Sequence, residues 1–248
     1  TEAEVAFSEA VVSANSGIAF SDYGQFLYRL GRYDQAEVML RRGIDLAGTQ
    51  EDHPTQIRAL LRLGDVLRMR REVGDAEEVY QRANHLAEKT DNRRLAGSAT
   101  LHLGFIHSER GEIERAEELF ERTLSLAEET DSEMLEAVSL DNLAVVAGRR
   151  GNYAAALDLQ ERALGIYKRK GNVKNVASGY LSIGGTYGKL GDHENAEQAL
   201  RQALLLSNNI GYAAGEADSY TQLGHLYRAA GNAEEALSMY KEALERER

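Results

Sequence analysis

The stretch LGHLYRAAGNAEEALSMYKEA (223–243) decides how the chain is read. A large residue precedes a glycine (Leu223, Gly224). A second glycine, Gly231, is followed by Ala236, Tyr240 and Ala243. The same order recurs in LGDVLRMRREVGDAEEVYQRA (63–83), where Leu63 and Gly64 are followed by Ala76, Tyr80 and Ala83. Working outward, alanines stand at 36, 76, 116, 156, 196 and 236, a constant step of 40 residues. Twelve residues before each comes a small residue: Gly24, Gly64, Gly104, Ala144, Gly184 or Gly224. A period in this range marks a stack of like supersecondary units.

The spacing predicts two antiparallel helices per unit. Small residues on the first helix and alanines on the second let the backbones approach closely, and the large residues fill what remains. Glycines 31, 111, 151, 191 and 231 lie five residues before the alanines and end the first helix. Arg71 breaks that series, and Gly74 follows three residues later. In the third unit the pattern places one helix over 93–110 and the next from 112 to about 129. No run alternates β-branched residues between hairpin turns, so strands are not expected. The fold class predicted is all-α, a right-handed superhelical solenoid of antiparallel helix pairs.

These stretches resemble the tetratricopeptide repeat, and the likeness runs through nearly the whole chain. The common repeat has 34 residues and this one has 40. The longer form is similar to repeats of spindle-orientation adaptors and of sensor regions in bacterial regulatory ATPases. Units are expected at about 16–50, 55–90, 93–130, 133–170, 173–210 and 213–248, as a single solenoid over 16–248. Residues 1–10 read as the tail of an earlier repeat's second helix, and 11–15 as the connection. The chain starts at Thr1, and the last unit has no polar cap after it. Since solenoids need capped ends, we expect a segment of a longer protein, with self-association through uncapped ends possible.

Composition bounds the function. The 248 residues carry a formal net charge of -11, a poor match to nucleic acid or anionic membrane. There are no cysteines, hence no disulfide framework, thiolate metal site or thiol nucleophile. No apolar run reaches the roughly 20 residues that span a bilayer. A cytoplasmic location is expected. The histidines at 53, 85, 102, 107, 193 and 225 show no metal-ligand spacing, and no nucleophile motif is present. No enzymatic activity and no cofactor are expected.

The glycine-rich stretch YLSIGGTYGKLGDHENAEQAL (180–200) looks at first like a phosphate loop. Such a loop needs a preceding strand, and none is predicted. Gly184 and Gly191 are explained by the repeat, whereas Gly185 and Gly188 are not. A glycine inside a helix costs roughly 1 kcal/mol relative to alanine. Close approach of a partner backbone is one explanation, and drift in a redundant fold is the other.

The resemblance implies that the first helix of each pair lines a concave groove. Counting from each packing glycine puts Arg29, Arg58, Arg62, Asp65, Arg68, His102, Phe105, Asn142, Gly185, Gly188, Gln222 and His225 on that groove. Arg58, Arg62 and Arg68 share roughly one helical face, and with Arg29 they are expected to gather at the groove's N-terminal end. Guanidinium forks suit carboxylates, so an acidic peptide or a free C-terminal carboxylate is the partner expected. The alternative is a solvated face on which these arginines pair with Asp65, Glu72 or other carboxylates. The family's carboxylate clamp is matched poorly, since no unit has asparagine directly after its packing glycine. Residues 109–136 hold eleven Asp or Glu and three Arg, most on the second helix, which reads as a solvated convex face. The chain is therefore expected to be a protein-interaction scaffold that binds a peptide or helix. The alternative is a sensor or regulatory segment of a larger ATPase or protease, and a small-molecule site comes third.

Overall fold

The computed structural model describes residue 11, residue 13 and residues 15–246. The described residues form twelve full helices and no strand. They are α1 (Gly17–Arg29), α2 (Tyr33–Thr49), α3 (His53–Met69), α4 (Val73–Lys89), α5 (Arg93–Glu109) and α6 (Ile113–Glu129). They continue as α7 (Glu133–Arg149), α8 (Tyr153–Arg169), α9 (Val173–Leu190), α10 (His193–Asn209), α11 (Ala213–Ala229) and α12 (Ala233–Arg246). The chain divides into two compact units, Thr1–Ser132 and Glu133–Arg248. The first holds α1–α6 and the second α7–α12, so each contains three helix pairs.

The turns repeat twice as often as the sequence motif. A residue with positive φ stands every 20 positions from Gly31 to Gly231. The N–H after each donates to a carbonyl five residues back, as in Asp52→Ala47 (2.9 Å), Glu72→Leu67 (2.9 Å), Glu112→His107 (2.9 Å) and Asp192→Tyr187 (3.0 Å). This is the Schellman closure of a helix. Arg71 is itself the left-handed residue of its turn, with φ 65°. Gly74 lies inside α4 and has no part in the turn. A side chain at that φ costs roughly 1 kcal/mol. Arg71→Gly is therefore expected to stabilise the protein by about 1 kcal/mol, read as a higher urea midpoint at unchanged slope.

The start of the chain corrects one expectation. Residues 11 and 13 are helical and Val11 is buried, so 11–15 is not a connection. The turn falls at Asn15, φ 40°, and Ser16 caps α1 by accepting from the Ala19 N–H at 3.2 Å. α1 therefore begins at Gly17, one helical turn later than the 40-residue register places it. The expected helix tail over 1–10 lies outside the described residues.

Packing follows the motif. All six register alanines are buried, Ala36 and Ala76 completely. Four residues later, a large side chain of the second helix lies over the small residue of the first. An added Cβ would stand 2.6 Å from Leu40 at Gly24, 2.2 Å from Tyr80 at Gly64 and 2.5 Å from Phe120 at Gly104. At Gly184 it would stand 2.7 Å from Leu200, and at Gly224 2.5 Å from Tyr240. The fourth pair has Ala144 in place of glycine and, opposite it, Gln160 in place of the aromatic or leucine. Gln160 is buried, and its Oε1 has no hydrogen-bond partner. In the first unit a continuous apolar core runs from Leu27 through Leu40, Leu63, Tyr80 and Ile106 to Leu126. In the second, Ala196, Leu200, Leu223 and Leu226 form a core patch beneath Tyr187 and Tyr227.

In the first unit ion pairs tie successive helix pairs together. Arg70 at the end of α3 reaches Glu37 on α2 at 2.5 Å, and Arg110 at the end of α5 reaches Glu77 on α4 at 2.6 Å. The two contacts are one interaction repeated a period later, a device available only to a chain with a fixed register.

Candidate functional site

Eight of the twelve predicted groove residues fall into two clusters, one in each unit. In the first unit Arg58, Arg62 and Asp65 of α3 face Asn92, Arg94, Ser98 and His102 across an open cleft of about 610 Å³. Asn92 caps α5, accepting from the Leu95 N–H at 3.2 Å, which fixes that helix's first turn beside the cleft.

The floor of the cleft is a hydrogen-bonded network. The Tyr80 hydroxyl donates to Asp65 Oδ1 at 2.8 Å, and His102 Nε2 lies 3.4 Å from the same oxygen. His102 Nδ1 donates to the Ser98 carbonyl at 2.7 Å, and the ring packs against Tyr80 and Phe105. Burial pushes the Asp65 carboxyl up, but the hydrogen bond and charge of His102, the Tyr80 hydroxyl and the field of Arg68 outweigh it and hold it below the ordinary carboxylate value. Burial, and then the charge of Asp65, push the Tyr80 phenol far up, so it remains a donor at any physiological pH.

The arginines do not gather at one point. Arg62 is held by Asp22 on α1 at 2.7 Å and by the Ser21 hydroxyl at 2.8 Å. Arg68 pairs with Glu109 on α5 at 2.5 Å and lies over the Phe105 ring. Arg29 sits exposed in the last turn of α1, outside the cleft. Arg58 hydrogen-bonds the Thr55 hydroxyl at 3.3 Å and its charge helps hold the Asp52 carboxyl low, but it forms no ion pair, and the Arg94 side chain has no partner among the described residues. The pairs that do form join positions 40 or 41 residues apart, on successive first helices. For Arg62 and Arg68 this is the carboxylate pairing of the alternative reading, made with Asp22 and Glu109 of neighbouring first helices, while Asp65 feels Arg68 only through its charge. Arg94 escaped the sequence reading because it lies in the first turn of α5, beyond the counted groove positions. Its neighbour Asn92, a helix-cap residue, was the available signal.

In the second unit Gly185, Gly188, Gln222 and His225 line one cavity of about 510 Å³, together with Lys189, His193 and Arg228. A Cβ at Gly185 would stand 2.8 Å from Gln222 Oε1, so the side chain of the next first helix occupies the space that Gly185 leaves. A Cβ at Gly188 would meet nothing within 4 Å. Asn142 lies in neither cluster, since its Nδ2 donates to the Val138 carbonyl of its own helix at 2.7 Å. Neighbouring Asp141 accepts from the Tyr167 hydroxyl at 2.8 Å, and burial raises its carboxyl to about 6.

Among the described residues no group of three or more His, Cys, Asp or Glu is placed to hold a metal ion. No helix of the described residues is long and apolar enough to cross a membrane.

Helix pairs in fixed register, ion-paired from repeat to repeat in the first unit and carrying clefts between successive first helices, define a helical-repeat scaffold. The chain belongs to the tetratricopeptide-repeat family, whose sequence profile matches residues 15–89, 95–169 and 175–247. No curated protein matches it in sequence. Among solved structures it is similar to BtubC from P. vanneervenii, at 21% identity over 87% of this chain and 91% of that one, with a TM-score of 0.74. It is similar to the apo form of RapI at 15% identity, over 93% of this chain and 82% of that one, with a TM-score of 0.75. A signal-transduction ATPase with a tetratricopeptide-repeat sensor from Pyrococcus horikoshii matches at 16% identity and a TM-score of 0.70. There the match covers 92% of this chain but 36% of that one. At these identities the likeness is one of fold.

Proposed function

We infer that this protein is an interaction scaffold whose α3–α5 cleft receives an acidic group of a partner peptide. The observation that carries the reading is the state of Arg58 and Arg94. In a chain of net charge -11, these two guanidiniums line a cleft and form no ion pair among the described residues, Arg58 acting on the helix-cap carboxylate of Asp52 only through its charge. The cleft's one carboxylate, Asp65, is already engaged by Tyr80 and His102. Arginine forks bind carboxylates bidentately, and Asn92 and Ser98 supply neutral hydrogen-bonding groups beside them. Arg62 and Arg68 hold neighbouring repeats in place and leave the reading of the partner to Arg58 and Arg94.

The test is fluorescence anisotropy with a labelled decapeptide of alternating Glu and Ala, its Gln counterpart, and both in C-terminally amidated form. The acidic peptide is expected to bind, and Arg58→Gln with Arg94→Gln is expected to weaken it at least about tenfold, roughly 1.4 kcal/mol. Salt should weaken the wild type more than the double variant. Arg29→Gln, which removes an exposed cation outside the cleft, should leave binding unchanged. Equal binding of the Glu and Gln peptides, or none of either, would overturn the reading. The sensor role in a larger signalling protein would then take its place.

A further inference from the structure

The cavity of the second unit is a register copy of the network in the first. Three periods separate Asp65 from Gly185, Arg68 from Gly188, His102 from Gln222 and Glu109 from Ala229. In the first unit these positions hold the Asp65–His102 contact and the Arg68–Glu109 ion pair. In the second unit Gln222 reaches into the place left at Gly185. Nothing replaces the ion pair. Gly188 and Ala229 both line the resulting cavity, and no side chain comes within 4 Å of where a Cβ at Gly188 would stand.

The surroundings of this void are cationic. Lys189 and Arg228 line it, and neither has an ion pair among the described residues. No carboxylate lines the cavity. The nearest in sequence are the two neighbours of His193, Asp192, which caps α10 through Asn195, and Glu194 in that helix's first turn. The three remaining polar groups are Gln222, His193 and His225. The His225 ring packs edge-on against Tyr240, whose hydroxyl lies 2.8 Å from Nδ1. That contact leaves Nε2 as the ring nitrogen available to a ligand. Leu200 and Leu226 give the cavity an apolar wall.

We propose that this cavity, opened by Gly188 and flanked by Lys189 and Arg228, binds a phosphate monoester carried on a small apolar body. Two permanent cations without counter-ions match the near-double negative charge of a phosphate monoester at neutral pH. The Arg228 fork suits two phosphate oxygens, and a carboxylate would compensate only half the charge. A phosphorylated small molecule and a phosphorylated side chain of a partner share this chemistry. The site is separate from the α3–α5 cleft and does not depend on it.

The test uses the whole chain and isothermal titration with phenyl phosphate, benzoate and a hexapeptide containing phosphotyrosine. Phenyl phosphate is expected to bind with a Kd below about 1 mM, and benzoate at least about fivefold more weakly. Lys189→Gln with Arg228→Gln should cost at least about tenfold. Gly188→Leu should abolish binding by filling the space while raising the melting temperature, because leucine favours a helix and its Cβ meets no neighbour there. Arg58→Gln with Arg94→Gln should bind phenyl phosphate as wild type does. Tighter binding of the phosphopeptide than of phenyl phosphate would make the source a modified partner, and equal or weaker binding a small ligand. No saturable binding of either phosphate probe, unchanged binding in Gly188→Leu, or parity with benzoate would overturn the proposal.

Discussion

Gly64→Ala is expected to destabilise the protein by about 3 kcal/mol, although alanine is the better helix former by roughly 1 kcal/mol. The new Cβ would lie 2.2 Å from the Tyr80 ring. Tyr80 is completely buried and cannot yield by rotating outward. Overpacking of this kind costs about 1–3 kcal/mol through strained rotamers and shifted backbone. Moving the ring also breaks the Tyr80–Asp65 hydrogen bond, worth roughly 1.5–3 kcal/mol because the acceptor is charged. Urea denaturation followed by circular dichroism would measure the loss. The fourth repeat supplies the compensating change, since Ala144 there faces Gln160. Gly64→Ala with Tyr80→Gln should therefore cost less than the sum of the two single changes, a coupling of about 1 kcal/mol or more between touching residues. Gly148→Ala gives the opposite sign. No atom lies within 4 Å of its Cβ, so a gain of about 0.5–1 kcal/mol is expected. A neutral Gly64→Ala would mean that the close approach of the two helices does not set the repeat's packing.

That prediction was within reach of the sequence, because the 40-residue register names both partners. Gly24, Gly64, Gly104, Gly184 and Gly224 each pack against the side chain 16 positions later, and periodicity alone brings them together. The turns between repeats were less visible. Glu51, Asp91 and Asp131 take the positive φ that Gly171 and Gly211 take in later repeats. With no shared residue type, the 20-residue period of turns has no signature. The site divides in the same way. Counting from the glycines placed Arg58, Arg62, Asp65 and His102 on one face, and they do line one cleft. Which arginine is free was not legible, because Arg62 and Arg68 find their carboxylates on helices one repeat away. Those pairings depend on the crossing of successive first helices, and residue spacing along one helix says nothing about that crossing. Gly185 misled for the same reason, since its neighbour Gln222 belongs to the next repeat.

Asp141→Asn is expected to stabilise the protein by about 2 kcal/mol above pH 6 and to have little effect below pH 4. Asp65 and Asp141 are both removed from water, and each accepts a bond from a tyrosine hydroxyl at 2.8 Å. Asp65 also has His102 and Arg68, and its carboxyl is held low. Asp141 is pushed up by burial, opposed only by the Tyr167 hydroxyl, from 3.8 to about 6. The folded protein therefore binds a proton there more tightly than the unfolded chain does. The stability this contributes is fully present below about pH 3.8 and is lost as pH rises through about 6. Converted at about 1.36 kcal/mol per pKa unit and reduced for the solvent contact that Asp141 keeps, the loss is about 2 kcal/mol. Asparagine avoids it, because its carbonyl still accepts from Tyr167 and carries no charge to desolvate. Urea midpoints of wild type and variant should thus converge in acid and separate between about pH 4 and about pH 6, the variant being the more stable at neutral pH. Comparing the two proteins at each pH cancels the titration of every other carboxylate. A difference that stays constant across the range would mean that Asp141 is already neutralised by a cation in the folded protein. A variant weaker than wild type at neutral pH would mean that the carboxylate's charge, and not its hydrogen bond to Tyr167, holds α7 to α8.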